Sequence, residues 1–239
     1  MTNVEISIVV PVHDEAGNIA DLVHEMCTAF AGRTFEIVVV NDASRDETLS
    51  ILTALKASVP QLRVLSHVQN AGQSRAIWSG VWAARGDVIV TFDGDGQNPP
   101  ADGPALVDAL CADTTLGLVQ GRRAKRQDTW SKRVASRVAN HVRKRLLDDG
   151  AEDAGCGLKA VRRDVFVRLP YFDHMHRYMP ALVKRAGFGV AFCDVGHRPR
   201  GAGRSKYTNL GRLFAAFSDL VGVIWLRHRC RQPGGVKEW

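Results

Sequence analysis

The sequence predicts an α/β fold: an open, doubly wound, mostly parallel sheet with helices on both faces. Three observations carry that prediction. Strand-like and helix-like runs alternate through the first half of the chain, the pattern of βαβ units. Several strand-like runs are apolar on both faces and rich in Val and Ile, as strands covered by helices on either side must be. The chain has 239 residues, 45% of them hydrophobic, enough to bury a substantial core without staples.

The first strand is "ISIVVPV" (6–12), followed by a helix-like segment at 16–31. Then come "FEIVVVN" (35–41) and a helix at 45–59, "LRVLSH" (62–67) and a helix at 71–85, "DVIVTFD" (87–93) and a helix at 102–112, and "GLVQG" (117–121). No internal repeat or low-complexity segment interrupts this order. Near the end, "LFAAFSDLVGVIWL" is a fourteen-residue apolar run broken by Asp219. The expected organisation is a main domain over 1–209, an amphipathic helix over 210–231 and a flexible tail over 232–239.

Composition narrows the function. The N-terminus has no basic region and carries Glu5, so no signal peptide is expected. No run reaches the length of a transmembrane helix, so the chain should be soluble or bound to a membrane surface. Five cysteines stand at 27, 111, 156, 193 and 230 with no CxxC pair; free thiols in a reducing compartment fit better than a disulfide framework. The net charge of +7 favours anionic partners. Neither a GxGxxG fingerprint nor a Walker loop follows the first strand.

In doubly wound sheets ligands bind beyond the carboxyl ends of the strands. The first strand ends in "PVHDE" (11–15), the second in "NDASRDE" (41–47) and the fourth in "DGDGQ" (93–97). Three acidic clusters thus converge on one edge of a cationic protein, which is unfavourable without a cation to offset them. Gly94 lets Asp93 and Asp95 turn toward one point, and Gln97 adds a neutral oxygen. Such hard ligands suit Mg²⁺ or Mn²⁺ shared with substrate phosphates. Alone, DxD is more often a polar turn; at the end of a buried parallel strand, beside two further acidic clusters, the metal reading is favoured.

Taken together, "VVPVHDE", "VVNDASRD", "FDGDGQNPP", "DAGCGLK" and "RPRGAGRSKY" resemble, in order, the motifs of family 2 glycosyltransferases. They are most similar to the polyprenyl-phosphate branch, which includes dolichol-phosphate mannose synthase and undecaprenyl-phosphate sugar transferases. The resemblance covers residues 4 to 210. It implies a GT-A type fold, a nucleotide-sugar donor, a divalent metal and a lipid-phosphate acceptor. It places Pro11, His13, Glu15 and Asp42 around the nucleotide, and Asp93, Asp95 and Gln97 at the metal and diphosphate. His13 stands where the family usually has Tyr, and "NDAS" replaces "DDGS", so uridine and guanosine donors both stay open.

Ten Lys and Arg residues and one Asp fall in 121–147, with Trp130, Val134, Val138, Val142 and Leu146 at every fourth position. That is an amphipathic helix pattern, read as a solvated helix packed on the domain or as a membrane-surface helix. Nucleic acid is not expected, because no RNP, KH or zinc-finger pattern accompanies the charges. By resemblance Arg123, Lys132 and Ser136 cradle the acceptor phosphate. Arg200, Arg204, Ser205 and Lys206 form a basic loop, read on its own as an ordinary surface loop or as one that closes on the donor diphosphate, and in the context of these motifs as the latter. Asp153 of "DAGCGLK" belongs to the active site as a base, a sugar ligand or a partner of Lys159 or Arg123. His174 and His176 form an HxH that more often packs than ligates, and Arg177 is the member of that segment expected near ligand. The C-terminal helix is read either as interfacial or as docked on the sheet or in a homo-oligomer.

These readings converge on an enzyme: metal-dependent, inverting transfer of a glycosyl group from a UDP- or GDP-sugar to a polyprenyl phosphate at the cytoplasmic membrane face. The alternatives are transfer to a glycan or protein hydroxyl, which needs a general base, and a basic nucleic-acid or membrane-binding module.

Overall fold

The computed structural model describes residues 4–123, 146–151, 153–199, 209–230 and 237–238. Most of the basic segment 121–147, the loop bearing Arg200, Arg204, Ser205 and Lys206, and most of the tail lie outside the described residues.

Seven strands form one sheet: β1 (Ile6–Val12), β2 (Phe35–Asn41), β3 (Leu62–Ser66), β4 (Val88–Thr91), β5 (Leu116–Arg123), β6 (Lys159–Arg162) and β7 (Gly189–Val195). Their spatial order is β3-β2-β1-β4-β6-β5-β7. All run parallel except β6, which is antiparallel to both β4 and β5. The helices are α1 (Ile19–Ala29), α2 (Thr48–Leu55), α3 (Gln73–Ala83), α4 (Gly103–Ala112), α5 (Arg163–Phe166), α6 (Met179–Arg185) and α7 (Asn209–His228).

Side chains alternate across each strand, so the sheet sorts its own residues into two cores. Ile8, Val10, Ile37, Val39 and Val90 face one way, toward Leu22 and Met26 of α1 and Leu106 and Leu110 of α4. Val9, Val38, Val40, Ile89 and Val161 face the other, toward α3 and α6. Helix α1 buries Ile19, Leu22, Val23 and Met26, the i, i+3, i+4, i+7 stripe of a helix with one covered face. Helix α3 lies so close to β1 that a Cβ on Gly80 would stand 2.5 Å from Val9 Cγ1.

The expected strands at 6–12 and 35–41 have those same bounds in the structure. The fourth is shorter than expected, ending at Thr91. The expected helices are trimmed at their ends; ahead of α1 and α3 the backbone N–H groups of Glu15, Ala16, Ala71 and Gly72 donate to side chains of neighbouring loops. Strands β6 and β7 carry no strand expectation from the sequence. The C-terminal helix starts at Asn209 and ends at His228. It buries Val223 against the second core, with Leu220, Ile224 and Leu226 packed beside it, and its Leu226 carbonyl accepts from Arg185 Nε at 3.0 Å.

Candidate active site

The strand order places β1 between β2 and β4, so chain connections diverge to opposite sides there. The loops after β1, β2 and β4 border the crevice that such a switch point opens.

Beyond β4 the chain makes a tight turn against β1. A Cβ on Gly94 would lie 2.7 Å from Val12 Cγ1 and 3.0 Å from the Pro11 carbonyl, so only glycine allows this approach. Gly96 adopts a φ of +69°, a conformation glycine takes without steric penalty. Asp95 Oδ1 accepts from Gln97 N at 3.1 Å, which closes the loop. Arg198, in the segment after β7, pins it from outside: its Nη2 donates to Glu25 at 2.8 Å, its Nε to the Gly96 carbonyl, and its backbone N to the Gln97 carbonyl.

Asp93 keeps a solvent-facing edge, yet its carboxyl is packed closely. A Cβ on Gly157 would collide with its Cγ and both its oxygens. Gln73 Nε2, from the first turn of α3, donates to Asp93 Oδ1 at 2.8 Å. The pKa of Asp93 is pushed up to about 6, first by burial and then by the charge on Asp95; Lys159, Arg123 and the Gln73 bond oppose the rise. The two carboxylates therefore sense each other, as two ligands of one cation would.

The loops after β1 and β2 are stitched together. Asp14 and Ala43 both take φ of +55°. Asp14 Oδ1 accepts from Arg45 N at 2.7 Å, Ser44 Oγ accepts from Asp14 N at 3.0 Å, Thr48 Oγ1 accepts from Glu15 N at 2.9 Å, and Asp46 Oδ2 accepts from Ala16 N at 3.1 Å. His13 Nδ1 lies 2.8 Å from the Asp42 carbonyl. Pro11 is buried, and Glu15 accepts from Asn18 Nδ2 at 2.7 Å.

Asp42 faces the loop after β3. Its Oδ1 accepts from Ala71 N at 2.9 Å and lies 2.7 Å from His67 Nδ1; its Oδ2 accepts from Gly72 N at 2.8 Å. Asn70 Nδ2 donates to its carbonyl at 3.1 Å, and His67 Nε2 reaches Ser79 Oγ at 2.9 Å. Asp42 thus orders the loop that leads into Gln73, and through it Asp93. His67, Asn70 and Gln73 carry no expectation from the sequence, although the rule that pointed to the ends of β1, β2 and β4 applies equally to "HVQNAGQ" after β3.

Across the crevice, Arg123 ends β5 and forms a fork with Asp153: Nε to Oδ2 at 2.6 Å and Nη2 to Oδ1 at 2.7 Å. Both side chains are largely buried. This pairing raises the Arg123 pKa further above its usual value. Of the roles open to Asp153, the structure gives it the one of holding Arg123. Lys159, at the start of β6, is buried and donates to the Cys156 carbonyl; burial lowers its pKa. Cys156 is a packed thiol beside Asn98.

His174 and His176 do not converge. His176 Nδ1 meets Ser74 Oγ at 2.7 Å, and burial holds its pKa well below the ordinary value. His174 Nδ1 meets Asp219 of α7 at 3.0 Å. Lys132 and Ser136, like Arg200, Arg204, Ser205 and Lys206, lie outside the described residues.

Among the described residues, no group of three or more His, Cys, Asp or Glu side chains gathers into a metal cage. What the rim offers is two oxygen-bearing carboxylates and the Gln97 amide. That set fits Mg²⁺ or Mn²⁺, which bind through one or two carboxylates and complete their shell with water and substrate phosphates.

A mostly parallel sheet with helices on both faces and an acidic pair beyond β4 is an architecture of the GT-A type. The chain belongs to glycosyl transferase family 2, whose family model matches residues 7–169. It is 34% identical over 223 residues to an undecaprenyl-phosphate 4-deoxy-4-formamido-L-arabinose transferase of Edwardsiella ictaluri, covering 92% of this chain and 67% of the relative. It is 32% identical over 240 residues to a dodecaprenyl-phosphate galacturonate synthase of Rhizobium johnstonii, covering 97% and 70%. The chain thus spans about two thirds of the length of these curated relatives, which belong to the polyprenyl-phosphate branch expected from the motifs. Among solved structures it resembles glucosyl-3-phosphoglycerate synthase from Mycobacterium tuberculosis in complex with Mn²⁺, UDP and glucosyl-3-phosphoglycerate. The TM-score is 0.73 at 21% identity, over 96% of this chain and 82% of that one. A complex of the same synthase with Mg²⁺ and UDP aligns with a TM-score of 0.71 at 20% identity, over 96% and 81%. At these identities the likeness is one of fold.

Proposed function

We propose that this glycosyltransferase moves a glycosyl group from a UDP- or GDP-sugar to a polyprenyl phosphate, such as undecaprenyl or dolichyl phosphate, at the cytoplasmic face of the membrane, with inversion at the anomeric carbon. The observation that carries the reading is the Asp93–Asp95 pair, mutually repelling at the switch point of the sheet. The relatives' acceptors, undecaprenyl and dodecaprenyl phosphate, supply its second half.

In this reading Pro11, His13, Glu15 and Asp42 line the base and ribose. Asp93, Asp95 and Gln97 would hold Mg²⁺ or Mn²⁺. Bound there, the ion neutralises charge on the departing diphosphate. Arg200, Arg204, Ser205 and Lys206 cover the diphosphate. Arg123, Lys132 and Ser136 orient the acceptor phosphate, which is already an anion near neutral pH and needs no proton removed. The Asp153 fork supports a phosphate acceptor over a hydroxyl one: with both oxygens engaged by Arg123, Asp153 is poorly placed to act as a base. Catalysis then rests on orientation and on charge stabilisation.

Purified protein given a panel of UDP- and GDP-sugars with undecaprenyl phosphate is expected to yield lipid-linked product. Chelation should abolish turnover and Mg²⁺ or Mn²⁺ restore it, while Asp95→Ala lowers the rate by about 10²-fold or more. Full activity in chelator, or an undiminished Asp95→Ala variant, overturns the metal assignment; product on sugar hydroxyls but not on lipid phosphate overturns the acceptor.

A further inference from the structure

Two acids on different strand ends are held by one short stretch of chain. Ala71 N and Gly72 N donate to Asp42 Oδ1 and Oδ2 at 2.9 and 2.8 Å. Gln73, the next residue, donates from Nε2 to Asp93 Oδ1 at 2.8 Å. Ser74, the residue after that, meets His176 Nδ1 through its hydroxyl at 2.7 Å. Residues 71–73 therefore set how far the carboxylate beyond β2 stands from the carboxylate beyond β4. Gly72 takes a φ of +86°, which lets the chain turn from one acid to the other.

That stretch leaves a loop whose residues 68–71 are all exposed. Such a loop has few buried contacts to keep it in one place. An imidazole supplies the anchor. The backbone N of His67 donates to the Asn41 carbonyl at 2.9 Å, which keeps the start of the loop beside β2. Its Nδ1 lies 2.7 Å from Asp42 Oδ1, and its Nε2 lies 2.9 Å from Ser79 Oγ in the second turn of α3. An ionised carboxylate only accepts, so Nδ1 carries the hydrogen; in the neutral ring Nε2 then accepts from the Ser79 hydroxyl. The ring thus spans the loop, from its first residue to the helix it feeds.

We propose that His67 is a positioning residue that fixes the separation of Asp42 and Asp93, and so fits the crevice to a nucleoside diphosphate as one piece. The inference rests on the donor reading above, in which Asp42 meets the nucleoside and Asp93 the ion on its diphosphate. A nucleoside diphosphate joins the two contacts in one molecule, so its affinity depends on a geometry that allows both at once. A metal ion alone meets only the Asp93 end and does not sense that separation.

The test uses the whole chain and two probes: Mn²⁺ alone, followed by electron paramagnetic resonance of the free ion, and UDP or GDP in saturating Mn²⁺, followed by calorimetry. His67→Leu removes both ring contacts, whereas His67→Asn keeps an N–H near the place of Nδ1. His67→Leu is expected to bind the nucleotide about tenfold more weakly, the loss of one hydrogen bond to a charged group. Its affinity for Mn²⁺ alone should stay within about twofold of wild type. His67→Asn is expected to recover most of the loss. Should His67→Leu fail to fold, Ser79→Ala, which releases the ring at Nε2 alone, takes its place with an expected loss of about threefold. Nucleotide binding equal to wild type in the folded variant overturns the proposal. So does an equal loss for Mn²⁺ alone, the mark of a general loosening, or a His67→Asn variant as weak as His67→Leu. Wild-type protein that binds neither UDP nor GDP overturns the donor reading itself and this inference with it, so the two failures are told apart before any variant is made.

Discussion

On the β1–β2–β4 side of the crevice, the carboxylates accept mostly from backbone amides and polar side chains. Asp14 and Asp46 accept from backbone amides, Asp42 from two amides and an imidazole, and Asp93 from an amide side chain. On the β5–β6 side, Asp153 is held by the full positive charge of Arg123. Neutral donors fix a carboxylate without cancelling it, so negative potential remains for a cation to relieve. The guanidinium fork cancels Asp153 and fixes the direction in which Arg123 can present its remaining N–H groups. Under the proposed function one half of the rim would attract a dication, and the other would hold a cation in place for an anionic group.

The sharpest way to break this contrast is Arg123→Ala, which leaves Asp153 buried without its partner. Destabilisation of about 3–5 kcal/mol is expected, read as a drop in the denaturation midpoint, and Arg123→Lys should recover only part of it because the fork is lost. Gly157→Ala attacks the seam between the halves. The added methyl must displace Asp93 or the 155–158 loop, at about 2–3 kcal/mol, and nucleotide affinity measured by calorimetry should fall with it.

Titration separates the halves further. In the metal-free protein Asp93 holds its proton to a pH of about 6, against 3.8 in the unfolded chain. Between those values the native state binds more proton than the unfolded one, so stability from this group declines as pH rises and is gone above about 6. Asp93→Asn is therefore expected to melt higher than the metal-free wild type near neutral pH, by about 2 kcal/mol, with the gap closing toward pH 4. Saturating Mg²⁺ should shrink the gap by stabilising the wild type alone. The smallest effect belongs to Ala43, whose φ of +55° is disfavoured for a residue with a Cβ. Ala43→Gly is expected to add about 0.5–1 kcal/mol of stability, measured by denaturant titration.

Strands β1, β2 and β4 were legible because each is a contiguous Val- and Ile-rich run closed by a polar cluster. Asp93 and Asp95 stood out for the same reason: charge directly after a buried strand needs an explanation. Strands β6 and β7 resisted. "KAVR" in β6 is four residues long, too short for period-two alternation to register, and it pairs in the opposite sense to its neighbours. In β7, "GVAFCDV" is only partly buried for most of its length and lacks the apolar density of β1. The contacts that organise the site were hidden by distance along the chain. Gln73 reaches Asp93, His67 reaches Asp42, and Arg198 reaches Gly96, and no local pattern links such pairs. Asp153 was singled out in the sequence with a pairing to Arg123 among its open roles, and it is the sheet, bringing the end of β5 beside the approach to β6, that makes that contact.

Because β6 runs against its neighbours, it begins at the rim where β4 and β5 stop. The chain therefore departs from that rim at Arg123 and returns to it at Lys159, and of the described residues between them Leu147, Cys156 and Leu158 are buried in the two cores. Under the proposed function Lys132 and Ser136 of this stretch meet the acceptor while the loops after β1, β2 and β4 meet the donor, so acceptor preference is free to diversify at a rate of its own.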